Sequence, residues 1–208
     1  MRVLVVEGSP GAAGSARAAL SAAGHEVSTC HNGGSAFPCH GFGTGPGCPL
    51  DSSEGIDVVV LARDEANADA TVSEDGVRCA LRRHIPLALV GAVDPSPYAD
   101  FAAVISPGFD EVVAAAERAA TSPLAGHTGV ARAALRTVLE REGIDAPDAE
   151  VSVLRHGTTL TVTLLPGVEL DPMVVEAASV RVLGAVRALD RSATIIDVTL
   201  GHLVSAAP

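Results

Sequence analysis

Three cysteines fall at equal intervals in one short stretch, CHNGGSAFPCHGFGTGPGCPLD: Cys30, Cys39 and Cys48 are each separated by eight residues. His31 and His40 directly follow the first two, and a fourth cysteine, Cys79, lies further along. Thiolates are soft donors. Zinc takes four cysteines, or three with a histidine, and iron-sulfur clusters take four cysteines. The 22 residues from 30 to 51 are so rich in Gly and Pro that they cannot fold on their own apolar contacts, which makes a cross-linking metal physically attractive. The Cys48-Pro49 pair and the glycine amides able to donate to sulfur suit a cluster, although the C-x2-C pair usual for either centre is missing. The candidate ligands are Cys30, Cys39, Cys48 and Cys79, with His40 as a substitute, for zinc or an iron-sulfur cluster. The alternative is unligated thiols, with Cys79 a small core residue on its helix.

Composition narrows the setting for that chemistry. Aromatics make up 2% of the 208 residues, so the core is built from Ala, Val, Leu and Ile. All 14 basic residues are Arg, in keeping with a GC-rich bacterial genome, and no function that needs a lysine ammonium can live here. A net charge of −11 argues against a nucleic-acid groove, which needs a basic face to neutralise phosphates. Arg78, Arg82 and Arg83 form the one basic cluster and read as a solvated helix face. No apolar run reaches the ~18–20 residues of a membrane span, and the chain opens directly on a strand, so a cytoplasmic location is expected. In that reducing compartment the cysteines are metal ligands or redox thiols sooner than disulfides.

Hydrophobic patterning supplies the elements that must position these residues. RVLVVE is a continuous apolar run of the kind found in a parallel strand buried on both faces. An Ala-rich helix over 11–23 follows, closed by Gly24, then a strand over 25–29. Periodicity breaks between 31 and 55 and returns as the strand IDVVVLA, a helix over 73–84, the strand IPLALVG, a short strand over 102–106 and a helix over 110–120. Strands alternating with helices predict an α/β fold with a doubly wound, mostly parallel five-stranded sheet. Residues 121–128 (TSPLAGHT) read as a linker. Beyond it, residues 129–205 predict a helix over 129–142, a hairpin turning near Gly157, a helix over 171–189 begun by Asp171-Pro172, and a last strand: a small α+β domain of order αββαβ.

The opening VLVVEGSPGAAGSARAALSAAGHEVSTCHNG, with Glu7 closing the first strand and Pro10 in the turn, resembles the start of a bacterial response-regulator receiver domain. IDVVVLA, IPLALVG and ISPGFDEVVAAAERA resemble its third, fourth and fifth strands and last helix, so the likeness covers residues 1–120. A receiver takes a phosphoryl group on an Asp after strand three, with two acidic residues holding Mg²⁺, a hydroxyl after strand four and a Lys after strand five. Those positions here are Ala62, Glu7 beside Gly8, Gly91 and Ser106. Asp64 and Glu65 lie past the strand end with no lysine partner. The resemblance therefore implies a pseudo-receiver, a scaffold kept without its phosphotransfer.

Gly8, Gly11 and Gly14 also match the glycine turn of short-chain dehydrogenases, which gives the alternative of a nucleotide-dependent oxidoreductase. The second strand ends in Thr29-Cys30 without an acidic residue for a ribose, and the Tyr-x-x-x-Lys pair of such enzymes cannot be made without lysine. The αββαβ order resembles the cytosolic tail domain of cation-efflux transporters in topology alone, and is expected to serve packing or homodimerisation. The expected function is a non-catalytic regulatory or adaptor protein with a protein partner, itself or another.

Overall fold

The computed structural model describes residues 1–32, 39–42 and 47–201, and the chain divides into two units, 1–122 and 123–208. In the first unit five strands, β1 (Arg2–Glu7), β2 (Glu26–Thr29), β3 (Val58–Arg63), β4 (Leu87–Gly91) and β5 (Val104–Ser106), form one sheet in the order β2-β1-β3-β4-β5. Every pairing is parallel, with Val5 beside Val60 and Glu7 beside Ala62. Alternate residues of the central strands face opposite ways. Val3, Val5, Val58, Val60, Ala88 and Val90 meet α1 (Gly14–Ala22) and α3 (Val112–Ala120), while Leu4, Val6, Val59, Leu61, Leu87 and Leu89 meet α2 (Asp75–Leu81). This is a doubly wound α/β sheet.

The second face is covered differently from the first. Between β2 and β3 the described residues form two single 3-10 turns, His40–Phe42 and Pro49–Asp51, and Cys30, Leu50 and Ile56 from this connection join the core where helical side chains would otherwise lie. The single helix expected over 73–84 is a 3-10 turn, Val72–Glu74, leading into α2. Thr71 and Glu74 form a reciprocal capping box at its start, and His84 at φ 54 turns the chain into β4.

The second unit runs α4 (Ala125–Arg141), β6 (Glu150–His156), β7 (Thr159–Leu165), α5 (Pro172–Leu189) and β8 (Ile195–Leu200). β6 and β7 form an antiparallel hairpin, and β8 joins β7 in parallel. Val151, Val153, Leu160, Val162 and Leu164 point to one face and are covered by both helices. Asp171 caps α5, its carboxylate accepting from Met173 N at 2.8 Å. α4 starts at Ala125, four residues before the expected Gly129. Leu124 N bonds to Val153 O at 2.8 Å, and His127, 3% exposed, reaches Asp190 Oδ2 at 3.1 Å. These tertiary anchors hold a turn that Gly126 and Gly129 alone would not favour.

Asp190 is the centre of a buried polar cluster. One carboxylate oxygen takes His127 and the Arg155 guanidinium, and the other takes Ser192 N at 2.8 Å and Ser192 Oγ at 2.6 Å. Burial works to raise its pKa, but the hydrogen bonds from His127 and Ser192 and the Arg155 charge outweigh it and hold the carboxyl well below its usual range. A depressed carboxyl stabilises the fold above its unfolded value of about 4, and that contribution is lost as pH falls toward the folded value. Urea unfolding of the full chain is expected to show the transition of the second unit weakening below pH ~4. Asp190→Asn should cost this unit about 3–5 kcal/mol, since it strands the buried Arg155 charge. A loss under ~1 kcal/mol would mean that the cluster adds no net stability.

Candidate metal centre

The four cysteines come from three separate parts of the first unit and line one cavity of about 280 Å³. Cys30 follows β2 directly and is 4% exposed, with its side chain inside the core of the second sheet face. Cys39 and Cys48 stand on the connection that follows, half-buried, and Cys79 is on the exposed side of α2. Phe42, Leu50 and Val72 give the cavity an apolar lining, and Arg78 and Arg82 border it.

Backbone contacts bring these segments together. His40 N donates to Cys30 O at 2.8 Å, which folds the connection back onto the strand end. Asp51 N donates to Cys48 O at 2.9 Å, and Arg83 reaches across from beyond α2 to Leu50 O and the Asp51 carboxylate. Two glycines permit the close approach. A Cβ on Gly76 would lie 2.6 Å from Cys30 Sγ, and one on Gly41 would lie 3.3 Å from Cys48 Cβ and 3.7 Å from Cys39 Sγ. The backbone of α2 is thus pressed against one sulfur, where no side chain fits.

Burial first, and then the neighbouring Cys39, Cys48 and Cys79, pushes the Cys30 thiol up to about 12. Cys48 is raised as well, chiefly by burial. Both are protonated at neutral pH and poor nucleophiles, which weighs against thiol catalysis. A bound cation reverses this balance, because a coordinating thiol is deprotonated outright.

His40, the expected substitute ligand, does not line the cavity; its ring lies 3.2 Å from Asn32 Oδ1. The histidine in the wall is His31, whose pKa is lowered by burial and then by His40, so the neutral, ligating form is favoured. Its place directly after a strand-end cysteine was the available sequence signal. Residues 33–38 and 43–46 of the cysteine-rich stretch 30–51, and His202, lie outside the described residues. Among the described residues no three Cys, His, Asp or Glu side chains gather as ligands of one ion. The thiols surround a volume and do not meet at a point.

Nearby, at the C-terminal strand ends, a different set of groups is tied up internally. Arg63, which follows Ala62, is 1% exposed and sets its Nε 2.8 Å from a carboxylate oxygen of the fully buried Glu74, with Nη1 donating to Pro95 O at 3.0 Å. Thr71 Oγ1 donates to Gly8 O, and Gly8 packs on the Arg63 side chain. Sequence reasoning missed this ion pair, because nothing in the spacing of Arg63 and Glu74 announces it. Of the glycine turn, Gly11 adopts φ +92 and its N–H donates to the Glu7 carboxylate at 2.8 Å. Asp64 accepts from Ser9 Oγ at 2.7 Å.

Alkylation of the native, metal-stripped protein at pH 8 is expected to label Cys79 first and Cys30 at least ~100-fold more slowly, given its suppressed thiolate. Equal rates would remove Cys30 from the wall. Gly76→Ala would gain ~1 kcal/mol in an open helix. Here it is expected to lower Tm, because the new methyl meets the Cys30 sulfur. A raised Tm would show that α2 does not back onto that sulfur.

No family model, curated protein or solved structure matches the chain.

Proposed function

We propose that the protein is a non-catalytic regulatory or adaptor protein of the cytoplasm, in which a phosphorylation-incompetent receiver-like unit holds a metal ion or iron-sulfur cluster through Cys30, Cys39, Cys48 and Cys79. The observation that carries this reading is the convergence of all four cysteines, from a strand end, a connection and a helix, on one cavity. The strand order β2-β1-β3-β4-β5 supports the receiver-like assignment, since flavodoxin-like folds share it. The loss of phosphotransfer is supported by Ala62 at the acceptor position and by the Arg63–Glu74 pair packed beside it. In the turn that would meet a pyrophosphate, Glu7 occupies the Gly11 amide with a carboxylate, which weighs against the dinucleotide-dependent oxidoreductase.

A metal held by these residues would supply a cross-link and, for iron, a redox centre. The protein's part is to bring the thiols together: β2 fixes Cys30, α2 carries Cys79, and the Arg83 contacts hold the connection that bears Cys48. Loading would then cross-link the connection to α2, a change that a partner protein could read. The second unit is assigned to self-association or docking. Among the described residues no helix is long and apolar enough to cross a membrane.

Anaerobically purified protein is expected to contain metal that Cys30→Ser and Cys48→Ser lose, and chelation should lower the Tm of the first unit by several degrees. Protein without metal, with four titratable thiols and an unchanged Tm, would sink the reading. Acetyl phosphate with Mg²⁺ is expected to add no phosphoryl group by intact mass, and a covalent adduct on Asp64 would restore an active receiver.

A further inference from the structure

The size and lining of the cysteine cavity carry a choice between the two centres, resting on the thiolate-centre reading above. We infer that Cys30, Cys39, Cys48 and Cys79 bind a four-iron, four-sulfide cluster and not a single zinc ion. A zinc ion with Zn–S bonds of ~2.3 Å draws its sulfurs to within ~4 Å of one another. Here Cys30 lies on the α2 backbone at Gly76, Cys39 and Cys48 lie together beside Gly41, and with Cys79 they line a cavity of about 280 Å³. A cluster places iron and bridging sulfide between its thiolates, so its ligands stand around a volume. Four cysteines on strand end, connection and helix offer one thiolate to each iron.

The surroundings match that occupant. Gly41 N–H points to Cys39 Sγ at 3.4 Å. Amide donors to cysteine sulfur are among the groups that set a cluster's potential. Leu50, 5% exposed, backs the cavity with apolar surface, while Phe42 and Val72 stand exposed at its edge, and water access is a second control on the same property.

Charge gives an independent argument. Assembly from two ferric and two ferrous ions with four sulfides gives a dicationic core with no net change of oxidation state; it replaces four S–H bonds with four Fe–S bonds and releases four protons to solvent, so core and four thiolates together carry a net charge of about −2. In a chain of net charge −11, that charge needs local compensation. Arg78 and Arg82, from the one basic cluster the sequence contains, border this cavity. Asp75 lines the same cavity and lies 3.7 Å from Arg78, so Arg82 adds the second positive charge at the border.

The test is anaerobic reconstitution of the full chain with equal amounts of ferrous and ferric iron and with sulfide, against parallel incubations with zinc or cobalt alone. The expected result is about four iron and four sulfide retained per chain with a broad visible chromophore bleached by dithionite. Cys30→Ser and Cys79→Ser should lose the chromophore, with circular dichroism of the metal-free variants reporting whether they fold. Arg78→Gln with Arg82→Gln, both at the cavity border and outside the core, should keep the cluster and shift its midpoint potential to more negative values. Stoichiometric zinc, a tetrahedral thiolate spectrum with cobalt and no iron-sulfide chromophore would overturn the cluster and leave the thiolate centre standing. Retention of neither metal nor cluster would overturn both. An unchanged potential in the arginine variant would overturn the assigned charge compensation.

Discussion

A parallel sheet buried on both faces must be covered on both, and the rest of the first unit depends on how that requirement is met. On one face α1 and α3 do it with residues such as Ala16, Leu20, Ala116 and Ala119. On the other, Leu4, Val6, Val59 and Leu61 receive α2 and a connection whose described residues form no α-helix, so Leu50, Ile56 and Cys30 must serve as core. A Gly- and Pro-rich segment placed on an apolar surface needs fastening, because its own side chains bury too little to offset the entropy of ordering it. The fastenings visible here are Arg83 onto Leu50 and Asp51 and the His40 bond back to Cys30. The cavity of cysteines lies where those fastenings converge.

Each unit also buries an arginine with its acid, Arg63 with Glu74 and Arg155 with Asp190. Buried ion pairs rarely add net stability over well-packed apolar residues, but removing one partner is costly, so they tie a fold to one arrangement. Arg63 fixes the start of α2, through Glu74, to the end of β3, and thereby fixes the helix that carries Cys79. Asp190 ties the start of α4 to β6 and to the end of α5. In a chain without lysine the fork of donors on arginine makes such multiple contacts: Arg63 reaches Glu74 and Pro95, and Arg155 reaches Asp190 and Gly157.

Where the sequence was read correctly, a local pattern repeats itself. The apolar runs of β1, β3 and β4 are strands because nothing polar interrupts them, and the alternation in β6 and β7 marks a half-buried hairpin. Asp171-Pro172 announces the start of α5, and the gap in periodicity after Thr29 announces the unusual cover on the sheet. Boundaries were less legible where distant residues decide them. The first turn of α4 depends on His127 meeting Asp190, 63 residues away, and the split of the 73–84 helix depends on the Thr71–Glu74 capping box.

By itself the sequence determined that the first unit is a buried α/β sheet, that no lysine is present, and that four cysteines, each a soft donor, are. These follow from residue type and short-range spacing, which the chain states directly. Only the tertiary structure decided that Cys79 shares a cavity with the other three cysteines, that His31 and not His40 joins them, and that Arg63 and Glu74 pair beside Ala62. Those relations depend on which face of the sheet α2 covers and on Gly76 letting its backbone reach a sulfur 46 positions earlier in the chain. Such proximity is set by packing and leaves no periodic trace in sequence.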